Sequence, residues 1–153
     1  MSNSSSSALG KATTIKKTFS RATSISQEIN ASPEVIWSLL TNAADFARWN
    51  STIVSIDGNI KTGEYINLVA QIAPSRTFKI KIKEMIPNEK MVWGDMMGTR
   101  TFSLDKKAEG KTLFTMHEKI GGPFFTFFAS KIPSFDAAFE QYAADLKKES
   151  ELR

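Results

Sequence analysis

The chain is expected to fold as an α+β domain in which a seven-stranded antiparallel sheet wraps around a long C-terminal helix, with two short helices between strands 1 and 2. Three observations carry this expectation. A capped helix start at Ser32-Pro33-Glu34 follows a strand-like segment, residues 53–119 alternate with period two, and Phe135, Phe139, Tyr142 and Leu146 recur at helical spacing near the C-terminus. A strand, two short helices, a run of strands and one last helix make an uncommon order, which suits a sheet curled over a helix with a cavity between them.

The elements follow in order. Residues 15–30 read as one long strand with Ile25 and Ile29 pointing inward. Ser32 has the side chain of an N-cap, Pro33 tolerates the first helical turn because its missing N–H has no partner there, and Glu34 sits at the positive end of the helix dipole. Val35, Ile36, Leu39 and Leu40 then form the buried stripe, and residues 43–47 form a second short helix that closes at Arg48-Trp49-Asn50.

After Trp49 the period changes to two. Residues 53–56 form a strand, Asp57-Gly58-Asn59 a turn, and residues 64–72 a strand with Ile66, Leu68, Ala70 and Ile72 on one face. Pro74-Ser75-Arg76 turns the chain into residues 78–86, where Phe78, Ile80 and Ile82 face one side and Lys79, Lys81 and Lys83 form a solvated outer face. Pro87-Asn88 turns it again, residues 91–96 and 100–105 make further strands, and a polar loop at 106–110 leads into residues 112–119. Gly121-Gly122-Pro123 ends the sheet, Phe124, Phe125, Phe127 and Phe128 form an apolar cluster, and Pro133-Ser134 opens the last helix.

Composition narrows the function. There is no cysteine and His117 is the single histidine, so disulfides, thiolate chemistry and histidine-rich metal sites are excluded. The net charge of +4 has a local origin: Lys11, Lys16, Lys17 and Arg21 meet no acid in the first 21 residues, and the rest of the chain is neutral. Residues 1–14 are therefore read as a flexible, basic, Ser/Thr-rich tail ahead of a single ligand-binding domain over 15–153. The lack of acids is shared with transit peptides, but Arg21 is the lone arginine of the first 21 residues and no amphipathic pattern accompanies it. No apolar run is long enough to span a bilayer. The expectation is a cytoplasmic monomer or weak dimer with no nucleic-acid partner, no stable membrane insertion, no metal and no cofactor.

The order and spacing of several marks resemble the START/polyketide-cyclase superfamily, also called SRPBCC, whose members share the helix-grip fold of the birch pollen allergen. The marks are Ile29-x-Ala31-Ser32-Pro33-Glu34-x-x-Trp37, Trp49-Asn50, Gly63, Pro87 with Trp93, and Phe102-x-Leu104. Two longer ones follow, Thr112-x-Phe114-x-x-x-Glu118-x-x-Gly121 and Phe139-x-x-x-Ala143-x-Asp145-Leu146-Lys147. The resemblance covers about residues 22–151 and implies a fold more than a function, because the superfamily includes lipid carriers, cyclases and chaperone activators.

Hairpin geometry places candidate site residues. A two-residue turn at Met97-Gly98 pairs Trp93 with Phe102 and Asp95 with Arg100, and a hairpin centred on Ala108 pairs Phe102 with Phe114 and Arg100 with Met116. Trp93, Phe102 and Phe114 then form an aromatic row, open to both core packing and cavity lining. Asp95, Arg100 and Glu118 form a charged cluster on the same face, either as an ion-pair network or with Arg100 orienting a ligand oxyanion and Glu118 serving as acid or base. Alternation turns His117 outward. Met96, Met97 and the phenylalanine cluster are candidates for an adaptable rim or for packing onto Ile132.

Ligand-binding candidates are accordingly Trp93, Arg100, Phe102, Phe114, Met116, Glu118, Phe135, Phe139 and Tyr142, with Glu118, Arg100 and Asp95 as the first catalytic candidates and Tyr65 and Tyr142 as the other candidate acids or bases. The leading expectation is binding or carriage of a hydrophobic or aromatic small molecule, of lipid, isoprenoid or polyketide type, between sheet and helix. A cyclase or aromatase and a chaperone-activator-like interaction module are the alternatives.

Overall fold

The computed structural model describes residues 9–122 and 125–153. Eight strands, β1 (Thr13–Lys16), β2 (Ser20–Ile29), β3 (Ile53–Asp57), β4 (Tyr65–Ala70), β5 (Phe78–Ile86), β6 (Lys90–Gly94), β7 (Gly98–Ala108) and β8 (Lys111–Gly121), form one antiparallel sheet. Its order is β1-β2-β8-β7-β6-β5-β4-β3, so the pairing of β2 with β8 is the one that joins segments distant in sequence. Helix α1 (Pro33–Leu40), a 3-10 turn at Ala43–Asp45 and α2 (Phe46–Trp49) connect β2 to β3. After β8 come the short α3 (Phe125–Phe128), another 3-10 turn and the long α4 (Asp136–Glu151).

The core forms where the inward residues of the sheet meet α4, whose Phe139, Tyr142, Ala143 and Leu146 are all buried. Helix α4 packs over β2 and against α1 and α2. Opposite it, Ile25, Ile66, Ile82, Phe102, Phe114 and Met116 come from alternate positions of five strands, as period-two patterning requires. The α1 start is as the sequence indicates: Ser32 Oγ accepts from the Val35 N–H at 3.3 Å, with Pro33 in the first turn. A Ser32→Ala chain is expected to lose about 1 kcal/mol of stability, read as a lower midpoint in denaturant unfolding with unchanged slope.

The strand count differs from expectation because residues 15–30 are not one strand. The Lys17 N–H donates to Ser20 O at 2.7 Å and folds the segment into the β1-β2 hairpin. Thr13 and Thr14, read as tail, belong to β1, and this edge is fastened to α4 by Thr14 Oγ1 donating to Asp136 and the Ala12 N–H donating to Glu140. Residues 1–8 lie outside the described residues, as does Phe124 of the phenylalanine cluster. Within that cluster Phe125 is buried, whereas Phe127 and Phe128 are exposed. Helix α4 begins at Asp136, whose N–H is held by Ser134 Oγ, a turn later than Pro133-Ser134 suggested.

Arg21, one of the four basic residues that set the net charge, is anchored in the fold. It is buried, donates to the carbonyls of Ile132 and Pro133 at 3.1 and 2.8 Å, and lies 4.8 Å from the Phe135 ring. Its fork thereby fixes the segment that leads into α4.

The other end of α4 is held by charge. Arg48 of α2 donates to both Asp45 at 2.7 Å and Glu149 at 2.8 Å. The Asp45 and Glu149 carboxyls are held below their ordinary values of 3.8 and 4.5, chiefly by the hydrogen bond from Arg48, and Glu151 is lowered by its bond from Lys147. Groups with lowered folded-state values bind protons more tightly when unfolded, so they stabilise above the unfolded value and cease to do so as the pH falls through the folded one. Melting temperature is therefore expected to be flat near neutrality and to fall below about pH 4.5, and an Arg48→Met chain should show a shallower acid limb.

Among the described residues no helix is long and apolar enough to cross a membrane.

Candidate functional site

A cavity of about 890 Å³ lies between the sheet and the N-terminal half of α4. One wall is β4 and β5, through Leu68, Ala70, Phe78 and Ile80; the next is β6 to β8, through Trp93, Arg100 and Glu118; and the cover is Phe135, Ala138, Phe139 and Tyr142. The turn at 71–76 and the segment 131–133 border it as well. Helix α4 packs over β2, the far side of the sheet from β3, so the inward side chains of β4 and β5 keep free space in front of them.

The hairpin that carries Trp93 and Arg100 is wider than a two-residue turn. The Asp95 N–H donates to Gly98 O, and Asp95 Oδ1 accepts from the N–H groups of Met97 and Gly98 at 2.8 and 2.9 Å, an Asx-type closure. Strands β6 and β7 therefore pair Trp93 with Arg100 and Met91 with Phe102. Gly94 is required at the base of this loop, since a Cβ there would lie 2.3 Å from Gly98 O. The β7-β8 turn also moves, to Glu109-Gly110 with Gly110 at φ +70 and a bulge beside Ala108, which pairs Arg100 with Glu118, Phe102 with Met116 and Leu104 with Phe114.

Both corrections shift register by two residues, so every side chain keeps its expected face while its neighbour changes. Trp93 and Phe102 are diagonal partners with ring centroids 4.8 Å apart in an edge contact. Phe114 joins them through Tyr142, whose ring stacks on Phe114 at 6.4 Å and lies 6.2 Å from Phe102. Phe102, Phe114 and Met116 are fully buried behind the wall and do not line the cavity, whereas Trp93, Phe135, Phe139 and Tyr142 do. Asp95 borders the cavity but its carboxylate is committed to the turn, so the three-member charged cluster reduces to a pair.

That pair is close. Arg100 Nε donates to Glu118 Oε1 at 2.5 Å, with the two side chains 17% and 18% exposed. The guanidinium also lies 4.9 Å from the Phe139 ring and 5.8 Å from that of Tyr142, within cation-π range. Burial pushes the Tyr142 phenol well above its ordinary value against a smaller opposing effect of the Arg100 charge, so it stays protonated at neutral pH. Its hydroxyl has no hydrogen-bond partner among the described residues. His117 is exposed on the outer face and hydrogen-bonded to Ser24 Oγ at 2.6 Å.

Leu68, Ala70, Phe78, Ile80 and Ala138 were not among the expected site residues. The alternation of residues 64–72 and 78–86 already put the strand residues on an inward face; their distance from α4, which separates cavity lining from core, is a tertiary property.

Sheet, crossing helix and the half-open cavity between them define a helix-grip, START-like ligand-binding fold. The model of the polyketide cyclase/dehydrase and lipid transport family matches residues 20–151, and the chain belongs to that family. No functionally curated protein matches it. Among solved structures it is similar to a protein from Rhodobacter sphaeroides (16% identity, 94% of this chain and 99% of that one, TM-score 0.68). A conserved protein of unknown function from Enterococcus faecalis is similar at 20% identity over 90% of this chain and 75% of that one, with a TM-score of 0.67. A START superfamily protein from Mycobacterium smegmatis shares 17% identity over 86% and 97%, with a TM-score of 0.63. These likenesses establish the fold.

Proposed function

We propose that the protein binds and carries a small hydrophobic or aromatic molecule, of lipid, isoprenoid or polyketide type, in the cavity between sheet and α4. The observation that supports this most is the cavity itself, about 890 Å³ and walled by Leu68, Phe78, Ile80, Trp93, Phe135 and Phe139 with one ion pair among them. Small-molecule sites are typically about 300–1,000 Å³ and apolar with a few placed polar groups. An interaction module working through its surface has no need of such a space.

The experiment is a titration with the neutral apolar dye Nile red. Saturable one-to-one binding, reversed by an unlabelled apolar competitor, is expected; a linear, unsaturable response would remove the support for carriage. A cyclase-type reaction is the second reading, favoured by the placement of Arg100 and Glu118 on the cavity wall. Turnover of a polyketide-like substrate that disappears in Glu118→Gln would establish it.

A further inference from the structure

Arg100 enters the cavity wall already paired. It faces Glu118 directly across β7 and β8, so the pair is built into the sheet register rather than made by two flexible side chains meeting. The bond uses Nε and Oε1. Among the described residues, the two terminal guanidinium nitrogens and Glu118 Oε2 make no hydrogen bond. The guanidinium carbon lies 4.9 and 5.8 Å from the Phe139 and Tyr142 ring centroids. The wall thus offers N–H donors beside a carboxylate acceptor, with no net charge and with aromatic surface around them.

The other charged groups on the cavity do not change this balance. Asp95 is held in the 95–98 turn, while Arg76, over the Phe78 ring at 4.8 Å, and Lys131 have no ion-pair partner among the described residues but are exposed at the cavity border, where solvent screens their charges. A site that recognises a carboxylate or phosphate needs a guanidinium whose charge is still unanswered. Here an oxyanion would bring a third charge against Glu118 where the dielectric is low, and what it gained from Arg100 it would lose to that carboxylate. An uncharged head with an acceptor next to a donor fits both members of the pair.

We propose that this cavity selects ligands with an uncharged polar head, a carbonyl or amide oxygen next to an N–H or O–H, over ligands of the same length ending in a carboxylate or phosphate. The selection rests on the carriage reading and specifies its ligand class.

Decanamide and decanoate form a matched pair of probes, equal in length and head shape and differing in charge. Each is titrated as a competitor of Nile red at about pH 8, where the acid is ionised. The amide is expected to bind about tenfold more tightly or better, a part of the full penalty for an unanswered buried charge because the pair is partly solvated. In Glu118→Gln, Arg100 is left unanswered and the order should invert in favour of decanoate. In Arg100→Met, Glu118 is left alone and rejection of decanoate should deepen. A cooperative thermal transition shows that each variant is folded, and the two variants move the ratio in opposite directions, which a general loss of packing does not do. Equal or tighter binding of decanoate by the parent chain, or a ratio unmoved in both variants, overturns the inference while carriage stands. Failure of Nile red and both probes to bind overturns carriage, and the selection with it.

Discussion

A Tyr142→Ala chain is expected to lose about 3–5 kcal/mol of stability, a large part of the 5–15 kcal/mol typical of a folded domain. Tyr142 is the hub of the aromatic core, with its ring within 6.4 Å of those of Phe46, Trp49, Phe102 and Phe114. It therefore links α2, β7 and β8 to α4. Truncation removes the apolar contact of a ring that is 1% exposed and leaves a void among rigid aromatic neighbours, which cannot collapse into it. Denaturant unfolding followed by tryptophan fluorescence reads the loss, and a change under about 1 kcal/mol would contradict the hub role. Tyr142→Phe is the control. It keeps the ring and removes only a hydroxyl with no partner among the described residues, so its stability should stay within about 1 kcal/mol of the parent.

The second large effect concerns the cavity. Ala70 on β4 and Ala138 on α4 both line it, and each is half-buried against open space. Tryptophan at either position should occupy room now available to a ligand without disturbing the core, and in a strand its intrinsic preference is favourable. Displacing roughly 100 Å² or more of ligand contact costs about 3 kcal/mol, or about a hundredfold in affinity. Ala70→Trp and Ala138→Trp are therefore expected to weaken Nile red binding by about that factor while the melting temperature holds or rises. Lys79→Trp, on the solvated outer face of β5, should bind as the parent does. Equal binding by all four chains would mean that the dye sits on the surface.

Much of the fold was legible because it depends on local signals. Ser32-Pro33 starts α1 by a capping bond between near neighbours, and the alternation of residues 78–82 sets their faces without reference to any partner, up to the bulge between Ile82 and Glu84. The registers were less legible, because they depend on loop closures. The turn at 95–98 is set by what the Asp95 side chain does and the turn at 109–110 by the bulge beside Ala108, so each hairpin pairs two residues away from expectation. That shift kept Arg100 and Glu118 on the cavity side and replaced a diagonal relation by a direct one. Arg21 shows the opposite limit. Composition counts it among the N-terminal basic residues that set the net charge, and only the long-range approach of Ile132 and Pro133 makes it an anchor. Likewise Phe102 and Phe139 look equivalent as inward aromatics, yet the position of α4 buries the first behind the wall and leaves the second on the cavity.

Native mass spectrometry of protein purified without detergent or organic solvent tests the central claim most directly. The parent chain is expected to carry one apolar molecule per polypeptide, recoverable by solvent extraction, and the Ala70→Trp/Ala138→Trp chain is expected to run at its bare mass. A parent that runs bare and also yields no saturable complex with any apolar probe would contradict carriage in the cavity.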